Sequence, residues 1–120
     1  MIIVVKDYVI KPYVRMTRKG KFCSPQAKEY LASKEGLQLH YHSIMNQHGY
    51  ERLRDKKPIW IMMKVIVPSA QGHRADLDNI IKAVLDAGNG ILYSDDRWID
   101  SIEATREIGS PKLWVMLGLL

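Results

Sequence analysis

Arg74-Ala-Asp-Leu-Asp-Asn-Ile-Ile-Lys-Ala-Val-Leu-Asp86, with the Ser94-Asp95-Asp96 that follows it, is the stretch around which the chain is organised. At roughly 100° per residue, its apolar positions Leu77, Ile80, Ile81, Val84 and Leu85 fall on one stripe, which predicts an amphipathic helix with that stripe in the core. Asp78, Lys82 and Asp86 recur at i, i+4 and i+8 on the opposite side, with Asn79 beside them. Asp76 stands at the predicted helix entrance, where a short carboxylate suits the free N–H groups of the first turn. One polar edge therefore carries Asp76, Asp78 and Lys82, and the acidic pair arrives after a short loop.

The flanks supply the rest of the fold. Upstream, Ile59 to Val67 is apolar at both odd and even positions, as expected of an interior strand, and Pro68 to Ala75 is the loop that delivers the acidic helix. Ser24-Pro25 reads as a helix start, with serine as N-cap and proline at the first helical position. Ala27, Tyr30, Leu31, Leu37, Tyr41, Ile44, Met45 and His48 then recur at helical spacing, so this helix is predicted to run to about Gln47 and stop near Gly49, with Gly36 as the place where it could break. Ile2 to Ile10 is rich in β-branched residues and reads as a first strand. Downstream, Gly88-Asn89-Gly90 is a helix stop, and Ile91, Leu92 and Tyr93 cover the core. Arg97 to Ile108 and Leu113 to Leu120 read as strands joined by a turn at Gly109-Ser-Pro-Lys112, expected to form a hairpin. The order β–α–β–α–β–β predicts an α+β fold with a mixed sheet and two main helices.

With 120 residues, no repeat and no linker, the chain reads as one domain spanning 1–120. The hydrophobic fraction of 47% argues against wholesale disorder. The net charge of +5 points toward a polyanionic partner. That charge is concentrated at Lys11, Arg15, Arg18, Lys19 and Lys21, which read as an arm along phosphates or as a solvated loop. The charged connection Glu51 to Lys57 reads as solvated. A lone cysteine, Cys23, excludes an intrachain disulfide and a thiolate zinc site. No apolar run approaches the roughly 20 residues that cross a bilayer, and the opening Met1-Ile-Ile-Val-Val5 is too short for a signal h-region and lacks a leading basic segment. The expectation is a soluble, cytoplasmic protein.

A set of carboxylates favours magnesium or manganese over zinc. Two such ions about 3.5–4 Å apart activate a water and stabilise the leaving oxygen of a phosphodiester. Asp76 can point toward the same place as Asp78 only from a cap position, and Lys82, one turn on, then reaches a scissile phosphate or forms an i, i+4 ion pair with Asp78. Taken singly, each acid also has an ordinary structural reading: helix cap, or turn residue before a strand.

Asp76-Leu-Asp78-Asn79 followed by Lys82, Asp86 and then Asp95-Asp96 after a Gly-containing loop resembles the signature of RusA-type Holliday junction resolvases. The similarity extends to the Ser24 helix start, the apolar strand before the acidic loop and the total length. The resemblance implies catalytic carboxylates at Asp76, Asp78 and Asp96, an important lysine at Lys82, an adjacent acid at Asp95 that assists or holds the turn, and supporting roles for Asn79 and Asp86. It implies a magnesium-dependent endonuclease, with manganese as a substitute, that cuts four-way junctions symmetrically as a homodimer in recombination and repair or in phage DNA processing. Lys11, Arg15, Arg18, Lys19, Lys21 and Arg74 are the expected phosphate contacts. The competing reading is a protein that binds branched DNA without cutting it, its acids serving as caps and turns.

Overall fold

The computed structural model describes residues 1–14, 25–69 and 75–120. In chain order they form β1 (Ile2–Lys6), α1 (Pro25–His48), β2 (Ile59–Val67), α2 (Leu77–Gly88), a short 3-10 turn (Asp96–Trp98), β3 (Ile99–Ile108) and β4 (Lys112–Leu119). The strands make one four-stranded mixed sheet in the order β1-β4-β2-β3. This is the expected α+β architecture in the expected element order. No helix among the described residues is long and apolar enough to cross a membrane.

β2 is the axis of the sheet. It pairs antiparallel with β4 on one side and parallel with β3 on the other. Its inward residues Ile59, Ile61, Met63, Val65 and Val67 are all buried, and the helices α1 and α2 supply the opposing wall of the core through Tyr30, Leu37, Tyr41, Ile80, Val84 and Leu85. The burial of such a continuous row against both helices contributes about 1.5–3 kcal/mol for each large side chain. Tyr41 and Tyr93 are buried outright and spend their hydroxyls on α2, donating to the carbonyls of Val84 and Leu85. A buried phenol needs such a partner.

Two expectations are corrected. The last two strands form no hairpin: β2 lies between them, and Gly109–Pro111 carries the chain across its end, with the Gly109 amide bonded to the carbonyl of Val67. A strand that is apolar on both faces takes a position with neighbours on either side, and that demand separates its sequence-adjacent successors. His48 is exposed at the end of α1 and stacks on Tyr50 rather than entering the core. α1 otherwise ends where expected, at a left-handed Gly49, and runs unbroken through Gly36.

Candidate active site at the two ends of α2

The entrance of α2 carries the first two acids. Asp76 is the N-cap by its backbone, its carbonyl accepting from the amides of Asn79 and Ile80 at 3.1 and 3.3 Å, but its carboxylate makes no capping bond. The expected capping bond is therefore not made, and the residue is exposed. Asp78, which is exposed, accepts from the amide of Asn79 at 3.0 Å. The Arg106 guanidinium of β3 donates to the carbonyl of Ala75 and so fixes the approach to the helix.

Lys82 forms no ion pair with Asp78 among the described residues. Its ammonium instead lies 4.6 Å from the centroid of the Tyr13 ring. Tyr13 is tied down twice: its amide donates to the carbonyl of Asn79 at 3.0 Å, and its ring meets Tyr30 edge-on at 5.4 Å. Nothing in the sequence marks Tyr13, because it sits among basic residues that offer no periodicity.

The exit of α2 carries the other acids. Asp86 accepts from the Tyr30 hydroxyl at 2.7 Å and pairs with Lys34 at 3.1 Å, so it links α2 to α1. Burial first, and then the bond to Asp86, push the Tyr30 hydroxyl far above its ordinary pKa. The Asn89 side-chain oxygen accepts the Asp96 amide at 2.8 Å, which sets the 3-10 turn against the end of the helix. From sequence alone Asn89 reads only as part of a helix stop. Asp95 holds the turn, accepting from the Arg97 amide at 2.9 Å and from its guanidinium at 3.1 Å, and these bonds keep its pKa low. Asp96 behaves oppositely. Partial burial, reinforced by the charge of Asp95, raises its pKa above the usual carboxylate value.

The two groups of acids stand apart within one chain. α2 has 12 residues, and at a rise of about 1.5 Å each its ends are about 18 Å apart. Asp76 and Asp78 are at one end and Asp96 at the other. No three His, Cys, Asp or Glu side chains among the described residues are placed to hold an ion together. The expected convergence of Asp76, Asp78 and Asp96 is thus not met inside one copy, and the three do not fit a shared cation there. The cause is topological: β2, α2 and β3 form a parallel crossover, which puts the entrance and exit of its helix at opposite ends of the sheet.

Of the expected phosphate contacts, Lys11 is described, and it pairs with Glu29 of α1 at 3.3 Å, both exposed. Such a surface pair is worth about 0–1 kcal/mol and yields readily to a competing anion. Arg15, Arg18, Lys19, Lys21 and Arg74, with the predicted N-cap Ser24, lie outside the described residues.

Compared with known families, the chain matches the family model for endodeoxyribonuclease RusA over residues 10–117, a span that includes every acid and cation named above. No curated protein matches it significantly.

Proposed function

Because the chain belongs to the RusA endodeoxyribonuclease family, we propose that it is a magnesium-dependent nuclease that cuts four-way DNA junctions as a homodimer, in recombination and repair or in phage DNA processing. The observation that carries this reading is the family match across residues 10–117, within which Asp76, Asp78, Lys82 and Asp96 are all present. Two features of the site support it. The Asp76 carboxylate stands at a helix entrance without capping it. Asp96 is held beside Asp95 and partly buried, an arrangement that costs stability unless a cation or another partner answers the charge.

The separation of the acids supports the dimer. A second copy related by a two-fold axis can bring its Asp96 to the Asp76 and Asp78 of the first, and gives two equivalent sites for the two strands to be cut. β3 is the surface with the right geometry. It is an edge strand with no partner strand on its outer side among the described residues, and Ile102 and Ile108 project from it exposed at 45% and 56%. Edge strands of this length are ordinarily covered. Antiparallel pairing of two β3 edges sets the start of one strand, just after Asp96, beside the end of the other, where Arg106 holds Ala75 next to Asp76. Carboxylate oxygens at such a junction suit magnesium. Lys82 meets the phosphate, and Asp95 keeps Asp96 in place.

The test offers a synthetic four-way junction and a linear duplex of the same sequence, each with and without magnesium. Paired nicks in the junction alone, and only with the metal, are expected. Asp78→Asn is expected to bind the junction without nicking it. Metal-independent cutting, or equal cutting of both substrates, contradicts the proposal, and a chain that binds the junction yet never cuts it favours the non-catalytic reading.

A further inference from the structure

The connection between α1 and β2, Glu51-Arg-Leu-Arg-Asp-Lys-Lys57, looks from its sequence like a solvated charge run, but it is a built loop. The Leu53 amide donates to the carbonyl of Leu92 at 2.9 Å, and the Leu53 side chain packs against the core. Asp55 accepts from the Lys56 amide at 2.9 Å and from the Ser94 hydroxyl at 2.6 Å. Lys56 adopts a left-handed φ of 59°, a strained conformation for lysine that a free loop has no reason to keep. At its far end, the carbonyl of Pro58 accepts from the amide of Leu120. Asp55 is thus spent on tethering the loop to Ser94, immediately before Asp95 and Asp96. Meanwhile Arg52, Arg54, Lys56 and Lys57 are all exposed, and no ion pair within the described residues engages them.

A basic loop whose backbone is tethered beside an acidic turn has a purpose if a polyanion must approach that turn. Carboxylates repel a phosphate backbone, and cations held in register with them offset that repulsion. We propose that the 51–57 loop is a phosphate-binding clamp that lays a nucleic-acid backbone against the Asp95-Asp96 turn. This rests on the nuclease reading above and adds to it a binding surface apart from the basic segment near the chain start. The Ser94–Asp55 bond is what couples the clamp to the acidic turn.

The experiment measures equilibrium binding of a labelled four-way junction over a range of salt concentrations, in full-length protein carrying Asp78→Asn to prevent cutting. Arg54→Ala with Lys57→Ala is compared with Lys6→Ala plus Lys112→Ala, which remove the same charge from the sheet face away from the helices. For the loop pair the slope of log affinity against log salt should shrink by roughly 0.9 for each phosphate that the loop no longer neutralises. Affinity should drop at least tenfold, and the sheet-face pair should bind like its parent. Equal effects from the two pairs, or an unchanged slope in the loop pair, would overturn the clamp while leaving the nuclease reading standing. A parent that binds no junction even at low salt would overturn both.

Discussion

Asp96 is costly to the folded chain, and that cost can be measured. Partial burial and the neighbouring Asp95 raise its pKa, so the folded state holds its proton more tightly than the unfolded chain does. The sign follows: ionising Asp96 removes stability as pH rises through the carboxylate range, and the loss persists at neutral pH. Asp96→Asn should therefore raise the melting temperature at pH 7 while abolishing cleavage, and the gain should shrink as pH falls and the wild-type acid is protonated. Thermal melts at several pH values check this; a destabilised Asp96→Asn at pH 7 would make the acid a structural one. Tyr13 makes a second claim at this scale. A cation over an aromatic face is worth about 0.5–2 kcal/mol, so Tyr13→Leu should slow single-turnover cleavage by roughly twofold to thirtyfold with little change in junction affinity. Tyr13→Phe keeps the ring and should retain the rate. Loss of the rate in Tyr13→Phe would move the role from the ring face to the hydroxyl.

α2 was legible because its apolar stripe and polar edge are both written at the helical period, and the stop at Gly88-Asn89-Gly90 is chemical punctuation. Its neighbours show where legibility ends. Nothing in Arg97 to Ile108 says that its partner is β2 rather than β4, because which strand takes the centre is a property of the whole sheet. Nor could the sequence show that Asn89 would reach the Asp96 amide, or that Tyr13 would fold back onto Lys82, since both interactions depend on how elements dock. The exit of α2 is also where close packing is strictest. A Cβ at Gly88 would stand 2.7 Å from the Tyr93 hydroxyl oxygen, and that ring is held by its bond to the carbonyl of Leu85. Gly88→Ala should cost about 1–3 kcal/mol. It should also lower cleavage by shifting Asn89 and the turn it holds. Melting temperature and cleavage rate, measured together, test this; an unaffected melt would show that Tyr93 yields freely.

At the scale of the molecule, the acids were legible as a set but their separation was not. A Gly-containing loop between Asp86 and Asp95 looks from the sequence like a short return to the same surface, whereas the parallel crossover returns the chain to the far end of the sheet. A site assembled from two copies reconciles the acid set with the fold. Mixing two inactive variants, Asp78→Asn and Asp96→Asn, and assaying the mixture on a four-way junction with magnesium tests this most directly. In a pair made of one of each, a shared site receives an intact Asp76-Asp78 from one copy and an intact Asp96 from the other, so single nicks should reappear although neither variant cuts alone. A mixture that exchanges subunits and stays as inactive as its components would contradict a shared site.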